Sequence, residues 1–440
     1  MTKFPVLLML LIAAVIVIPT IASDSIPGAP QKTPVAIKGA TVHPISGPAI
    51  EGATIVFEKG KITAIAKDAA IPEGAQVVDA TGKHIFPGLI DAHNGIGLTE
   101  IDSIRATIDR AETGQFNPNV KARWAFNPDS EIIPVTRANG VLIAVTTPSG
   151  GIISGMPSVM QLDGWTWEDM TLAPEVAMLI NWPAARGGGR RGGGGGRRGG
   201  AAPAGPQEDP VDSLKKYVEK ARAYDQSRAS NPAQGIDAKL EAMRPVLAGK
   251  TPIMVAAEDQ KSIQAAVAFA LENKFKLVIY GGYDAEACAE LLKKHEIPVI
   301  VGGVYRLGTR ESDAYDVAYT LPERLRAAGV KFCITGSGRF EASNVRNLPY
   351  HAATAVGYGL PVEEGLRSIT LSAAEILGIA DKVGSLDVGK HATLFVSPGN
   401  PLDTETQVEL AWIGGRKVDL SSKHTRLNEK YKEKFRQLAP

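Results

Sequence analysis

The chain has 440 residues, of which 44% are hydrophobic, and its formal net charge is +1 at pH 7. This length suits one large domain with a smaller one, and the apolar fraction is typical of a folded globular protein. The near-neutral charge excludes a molecule that is built as a whole for nucleic acid or an anionic membrane. The only two cysteines, Cys288 and Cys333, exclude a cysteine-built zinc site. Both lie in apolar stretches without a CxxC partner, which favours two buried thiols over a disulfide.

The N-terminus has the composition of a secretory signal. Lys3 precedes an unbroken apolar run over residues 6–18, which Pro19 and small residues then end. This pattern predicts a signal peptide over residues 1–22 and export to the periplasm or the exterior. An uncleaved anchor is the alternative, although the run is shorter than the roughly 20 residues of a membrane span. After cleavage we expect no membrane contact, and residues 23–34 should form a flexible lead-in.

Both ends of the folded chain show the period-two alternation of β-strands. The pattern covers residues 35–86, including a hairpin closed by Lys59 and Gly60, and it returns over residues 391–420. A terminal helix follows, with charged residues over 428–436. The two β segments predict one small composite β-sandwich domain, in which the end of the chain rejoins its beginning.

Residues 87–390 alternate short apolar β runs with helical stretches. The predicted strands are 141–146, 253–256, 277–280, 299–301 and 332–335, and the predicted helices include 260–271, 285–295 and 322–328. Alternation of this kind predicts parallel βα units, and the extent favours an α/β fold of the TIM (β/α)8 barrel type over a short doubly wound sheet.

One low-complexity insertion interrupts the barrel region. Residues 186–200 consist almost entirely of Gly and Arg, with five arginines and no acid, and residues 201–206 extend the tract. A segment that cannot bury apolar area should form a mobile loop. An RNA-binding tract is the alternative, but the absence of an aromatic for base stacking and the export signal both oppose it. We therefore expect no nucleic-acid partner.

The stretch Phe86-Pro87-Gly88-Leu89-Ile90-Asp91-Ala92-His93 leads a buried strand to a histidine at its C-terminal end, where barrel enzymes place catalytic groups. It resembles the opening strand of the amidohydrolase superfamily, whose signature is PGLIDxHxH. Residues 383–392, Val-Gly-Ser-Leu-Asp-Val-Gly-Lys-His-Ala, resemble that family's return to the small domain, and 344–360 with 372–378 resemble its last barrel segments. The pattern is most similar to the imidazolonepropionase-like branch.

The resemblance implies metal-assisted hydrolysis of C–N bonds, in which a divalent metal, often zinc, activates water. Members of the family hold the metal with two histidines after the first strand and one each after the fifth and sixth. An aspartate after the eighth strand orients the water, and binuclear members add a carboxylated lysine.

Against that pattern only His93 matches. The position of the second histidine holds Gly95, after Asn94. The other ligand positions fall on the residues after the predicted strands: Ala256, Ala257 and Glu258 for the fifth, Gly281 and Gly282 after Tyr280 for the sixth, Thr335 to Gly338 for the eighth, and Gln161 for the lysine. None of the seven histidines forms an HxH or HxxxH pair, and besides His93 only His351 is a candidate for the barrel mouth.

Three interpretations of His93 remain open: a surviving ligand, an isolated remnant in an emptied pocket, or part of a new site. The candidate pocket residues are Asn94, Gly95, Glu100, Asp102, Glu258, Tyr280, Gly281, Gly338 and Glu341. Two other stretches are ambiguous. The Gly-rich residues 149–155 predict a tight turn over the barrel mouth or an anion cradle, and Trp165 and Trp167 either pack or line a pocket.

The sequence therefore predicts a pseudoenzyme that binds a ligand or pairs with an intact paralogue, as a hetero-oligomer or a homo-oligomer. We expect no cofactor, since one imidazole does not hold zinc against water. The alternative is an active hydrolase with zinc in an atypical site.

Overall fold

The computed structural model describes residues 25–183, 209–338 and 340–438. The predicted signal peptide lies outside these residues, and so does the Gly/Arg-rich tract. None of the helices in the described ranges has the length and apolarity needed to cross a bilayer.

Both chain ends contribute strands to the composite β domain, as the sequence predicts. Its eight strands form one hydrogen-bonded sheet in the order β18-β17-β16-β5-β1-β2-β3, with β4 beside β1. The antiparallel pairing of β16 with β5 joins the end of the chain to its beginning, and the domain has an apolar core of its own that includes Ile37, Phe57 and Trp412. The strands are β1 (Val35–Val42), β2 (Ile50–Glu58), β3 (Lys61–Ala66), β4 (Gln76–Asp79), β5 (His84–Pro87), β16 (Leu394–Ser397), β17 (Leu410–Ile413) and β18 (Arg416–Lys417).

The middle of the chain forms the predicted α/β barrel. Its wall strands are β6 (Leu89–Asn94), β7 (Val141–Thr146), β8 (Ile153–Gly155), β9 (Ser158–Gln161), β11 (Met178–Asn181), β12 (Ile253–Ala257), β13 (Leu277–Gly281), β14 (Val299–Val301) and β15 (Phe332–Ile334); β10 (Thr171–Ala173) pairs with β9. Buried side chains from around the wall, among them Ile90, Val159, Met254 and Cys333, meet in one apolar cluster inside it. The predicted fifth, sixth and eighth strands are β12, β13 and β15.

The third strand of the barrel departs from an all-parallel wall. Residues 153–161 run as one bent segment, in which β9 pairs antiparallel with β7 and β8 pairs antiparallel with β11. This segment joins the sheet of β6 and β7 to the sheet of β11 to β15. On the other side β15 meets β6 through side chains, because the Thr335 hydroxyl donates to Asp91 and to the His93 carbonyl.

Helices cover the outside of the wall and follow the later strands in the expected alternation. Several begin at an Asp whose side chain accepts from a backbone N–H of the first turn, such as Asp259 before α5. The helices are α1 (Ile132–Arg137), α2 (Trp167–Met170), α3 (Pro210–Ser230), α4 (Ala238–Leu247), α5 (Gln260–Asn273), α6 (Ala289–Lys294), α7 (Val317–Ala328), α8 (Glu341–Asn344), α9 (Leu348–Gly357), α10 (Val362–Ser368), α11 (Leu371–Ile376) and α12 (Lys423–Leu438). Both cysteines are free and buried, as predicted.

The expected flexible lead-in is instead held against the body from Ser25 onward. The Gly28 N–H donates to the Asp163 carboxylate at 3.0 Å, and the Gln31 side chain bonds to the backbone of β2 and of Gly60. Asp163 also forms a buried ion pair with Arg137 at 2.9 Å. Gly28 thus supplies a hydrogen bond to a carboxylate that is shielded from water.

Candidate functional site

His93 lies at the C-terminal end of β6, at the mouth of the barrel, which we define as the C-terminal ends of its parallel strands. Its side chain is 8% exposed. The ring stacks on Tyr280 of β13 with the centroids 3.6 Å apart and the planes 13° from parallel. Burial lowers the pKa of His93 to about 3, and the positive charge of Arg110 acts in the same direction. A neutral imidazole of such low basicity is a poor general base near pH 7.

Asp91, two residues earlier, is fully buried and joins the first and last strands of the barrel. Its carboxylate accepts from the Thr335 hydroxyl at 2.5 Å, the Gly336 N–H at 2.9 Å, the His93 N–H at 3.1 Å and the Asn94 amide at 3.1 Å. Burial raises the pKa of Asp91, and these four hydrogen bonds oppose that rise. The carboxylate is therefore committed to holding strands together.

Asn94 and Gly95 follow directly, and neither offers a ligand. The Asn94 side chain donates to Asp91 and accepts from the Ile96 N–H at 3.0 Å, so both ends of the amide are used. A Cβ placed on Gly95 would lie 3.5 Å from Glu341 Oε1 and 3.8 Å from an Arg110 nitrogen. The space beside the second-histidine position thus holds the ends of two other side chains.

Those two side chains form an ion pair across the mouth. Arg110 follows the first strand in a long loop, and Glu341 begins α8 after the eighth strand. Burial raises the pKa of Glu341, Arg110 lowers it, and the nearby Asp91 and Asp102 raise it again. The guanidinium neutralises the one carboxylate that faces residue 95.

A second ion pair lies at the ends of the fifth and sixth strands. Both guanidinium nitrogens of Arg306 bond to the Glu258 carboxylate, at 3.0 and 3.1 Å, and the Tyr283 N–H donates to the same group. Gly281 has φ +92, and a Cβ there would lie 2.8 Å from the Glu258 carboxyl carbon. Residue 281, where the family pattern has a histidine, suits glycine for two reasons: its φ is positive, and Glu258 occupies the space that a Cβ would need.

Tyr280 lies between the two ion pairs on the ring of His93. Burial raises the pKa of its phenol, and the charge of Glu341 adds to the effect. The phenol therefore stays protonated at neutral pH and cannot serve as an anionic ligand.

The remaining sequence candidates lie apart from this group or contribute no ligand. Glu100 accepts from the Ser130 hydroxyl at 2.5 Å and from the Glu131 N–H at 3.1 Å, so it serves the start of α1. Gly338 has open space around it. Gln161 lies at the opposite end of the barrel from the mouth, because the third strand is inverted and Gln161 pairs with Ile143 near the start of β7. The alignment of Gln161 with the lysine position is therefore wrong.

Residues 149–155 form a turn at the mouth, and three of their amides donate to backbone carbonyls. Ser149 N–H donates to the Arg110 carbonyl, and Ile152 and Ile153 N–H donate to the Gln115 carbonyl. These three amides are therefore not free to bind an anion. Trp167 packs against the main core and Trp165 is 65% exposed.

His351 is the second buried imidazole near this end of the barrel. It lies on α9, and its Nδ1 accepts from the Val304 N–H at 3.1 Å. Burial lowers its pKa to about 4. The hydrogen bond ties α9 to the loop after the seventh strand. Pattern reading singled out the histidine but missed the arginines of both ion pairs, since their loops carry no motif.

The donor set does not fit a metal ion. Within residues 25–183, 209–338 and 340–438, no three His, Cys, Asp or Glu side chains lie close enough together to hold one. The carboxylates beside Gly95 and Gly281, those of Glu341 and Glu258, are already paired with arginines, whose charge repels a cation. Asp91, next to His93, is engaged by four hydrogen bonds.

An eight-stranded α/β barrel joined to a β domain made from both chain ends defines the fold class as a TIM-type barrel with a composite β domain. The chain belongs to the amidohydrolase superfamily, since the model of the amidohydrolase family matches residues 270–418. An amidohydrolase structure from Thermotoga maritima MSB8 superposes with a TM-score of 0.77 and 26% identity, covering 88% of this chain and 99% of that one.

Two curated proteins agree with this assignment over part of their length. The imidazolonepropionase of Acidiphilium cryptum (strain JF-5) is 32% identical over 131 residues, which is 30% of either chain. The amidohydrolase tasK of Hapsidospora irregularis is 21% identical over 408 residues, covering 84% of this chain and 41% of tasK. The chain thus spans less than half the length of either curated relative.

Proposed function

We propose that this chain is an exported, non-hydrolytic member of the amidohydrolase superfamily, which acts by binding a ligand or an intact, metal-loaded paralogue. One observation carries the proposal: ion pairs occupy the space where relatives place metal-binding imidazoles. Arg110 and Glu341 fill the space beside Gly95, and Arg306 holds Glu258 against Gly281. The barrel strands around them keep their order, apart from the reversed direction of the third strand, so the proposed change concerns the side chains of the site.

The electrostatics support the same proposal. A zinc site needs deprotonated donors that converge on one point. Here the imidazole of His93 is covered by a tyrosine ring, and the Nδ1 of His351 already accepts from the Val304 N–H. Freeing Glu341 for a cation would leave Arg110 without its partner at a site that is partly shielded from water, which costs more than breaking an exposed pair. The Glu258 side chain is exposed, so its pair with Arg306 opposes a cation mainly through the positive charge of the guanidinium.

The export part of the proposal rests on the composition of residues 1–22. Sequencing the N-terminus of the protein recovered from outside the cytoplasm tests it. A mature chain that begins near residue 23 supports export, and a chain retained in the cytoplasm with its Met1 overturns it.

Metal analysis tests the loss of hydrolysis. The purified chain is loaded with zinc, dialysed against a weak chelator and measured by elemental mass spectrometry beside His93→Ala. We expect far less than one zinc per chain in both proteins and no hydrolysis of lactam or amide substrates. One tightly bound zinc per chain, lost together with hydrolysis in His93→Ala, would establish the alternative of an active hydrolase with an atypical site.

The binding arm has its own test. An intact relative with the full histidine set, encoded in the same genome, is co-expressed with this chain, and the mixture is sized by light scattering. A complex of the two chains that changes the hydrolytic activity of the intact relative supports a partner role. Separate elution and unchanged activity would exclude the partner role and keep the hypothesis of ligand binding. Thermal-shift screening with carboxylate and lactam ligands then tests that hypothesis: a ligand that raises the melting temperature supports it, and no shift with any of them contradicts it.

A further inference from the structure

The terminal helix α12 leaves an apolar stripe uncovered. The helix runs from Lys423 to Leu438, and none of its residues is buried. Leu427, Tyr431, Phe435 and Leu438 are 40%, 51%, 68% and 68% exposed. At about 100° per residue, these four lie on one face within an arc of roughly 80°. A folded protein rarely presents large apolar side chains in register on an exposed helix unless another surface covers them.

The helix is fixed to the body at its first turn. Ser422 and Thr425 exchange hydrogen bonds across the start of the helix, and Arg426 pairs with Glu131 at the start of α1 at 3.4 Å. The stripe begins just beyond this attachment. It is therefore presented by a helix whose base has a defined position on the barrel.

The charges of the helix are sorted around the stripe. Six of its sixteen residues are Lys or Arg and two are Glu, which gives a net charge of +4 with His424 neutral. On the helical wheel Lys423, Lys430 and Lys434 lie along one edge of the stripe. Glu429 and Glu433 lie on the opposite face, where they pair with Lys432 and Arg436. The acids are turned away from the side that the stripe faces.

The near-neutral charge of the whole chain, +1, conceals this concentration of positive charge at one end. A second copy of the chain would bring equal positive charges together along the stripe, which opposes self-association through it. An anionic surface is complementary to both features, since apolar side chains enter the acyl boundary while flanking lysines reach the headgroups.

We propose that α12 is an interfacial membrane-binding helix, which holds the folded protein on an anionic phospholipid surface. This proposal replaces the expectation of no membrane contact after cleavage. The stripe enters the headgroup boundary, and the lysine edge contacts the phosphates. The helix lies in the plane of the surface, because its sixteen residues are too few and too charged to span a bilayer.

Vesicle flotation of the full chain tests this proposal, with every variant carrying the same N-terminus. The vesicles contain phosphatidylcholine and phosphatidylglycerol in a two-to-one ratio, or phosphatidylcholine alone. We expect binding to the mixed vesicles, weak binding to the neutral ones, and loss of binding in Tyr431→Glu with Phe435→Glu. Because no residue of α12 is buried, these variants should keep the wild-type unfolding midpoint.

A charge-matched pair of variants tests the geometry of the lysine edge. Lys430→Gln with Lys434→Gln should lower binding roughly 30-fold, since each lysine near an anionic surface is worth about 1 kcal/mol. Lys432→Gln with Arg436→Gln removes the same charge from the other side and should lower binding much less. Equal losses in the two pairs would overturn the proposed orientation.

Two further results would overturn the proposal as a whole. One is equal binding of the wild type and the Tyr431→Glu, Phe435→Glu variant to mixed vesicles. The other is a homodimer, seen by light scattering, that this variant abolishes while the wild type stays off the vesicles, since the stripe would then serve as an interface between copies.

Discussion

Acid should destabilise the folded chain through His93, and the size of the effect follows from its burial. The pKa of His93 is about 3 in the folded protein and about 6.5 when unfolded. Because the folded value is the lower one, the stability due to the neutral imidazole is fully present above about pH 6.5. It is lost as the pH falls towards 3. At about pH 5 the loss amounts to about 2 kcal/mol of unfolding free energy.

The measurement compares wild type with His93→Phe and His93→Gln, two side chains that do not titrate. Urea unfolding at about pH 7.5 and about pH 5 gives the difference for each protein, and the phenylalanine keeps the stacking on Tyr280. Both variants should lose about 2 kcal/mol less than wild type between the two pH values. Parallel profiles for all three proteins would refute the argument that His93 is buried in its neutral form.

Three further predictions concern contacts that hold the barrel and its mouth. Asp91→Asn should lower the unfolding free energy by about 3 kcal/mol, because its amide must point the NH2 at a backbone or hydroxyl donor. Thr335→Val should lower it by about 1–2 kcal/mol, and equal small losses for the two variants in chemical denaturation would contradict this prediction. Arg137→Leu should lower the unfolding free energy by about 3–5 kcal/mol, because it leaves Asp163 buried without its ion-pair partner. The control Arg436→Ala on the exposed α12 should change it by no more than about 0.5 kcal/mol, and denaturation midpoints measure both variants. Gly281→Ala should lower the unfolding free energy by about 1–3 kcal/mol in wild type and by less in a Glu258→Ala background, where only the backbone strain remains. Additive effects of the two substitutions in the double-mutant cycle would disprove the clash between the added Cβ and Glu258.

Much of the fold follows from local pattern. The period-two runs at both ends and the βα alternation predict the composite β domain and the barrel, and strands such as 141–146 and 299–301 match the structure to the residue. The inverted third strand could not be predicted, because β8 and β9 are too short to show a direction in their residues. Strand direction here depends on pairing with β7 and β11, which are distant in the chain.

The candidate site was predictable only in part. Sequence comparison with the family finds the positions without histidine, because Gly95 and Gly281 stand in recognisable motifs. It cannot find the side chains that fill the space, since Arg110 meets Glu341 across 231 residues and Arg306 meets Glu258 across 48. Long-range ion pairs of this kind leave no local spacing to read. Glu100 shows the converse, because a carboxylate after a strand end turned out to serve a helix start.

The contact between β15 and β6 differs from the other strand contacts of this barrel in the kind of hydrogen bond that forms it. Most neighbouring strands of its wall are joined by backbone hydrogen bonds, whose groups do not titrate with pH. Between the last strand and the first, the hydrogen bonds described above involve side chains instead: Asp91 accepts from the Thr335 hydroxyl and the Gly336 N–H, and Thr335 also donates to the His93 carbonyl. We therefore expect any slow local opening of the barrel to begin with the separation of β15 from β6, next to His93.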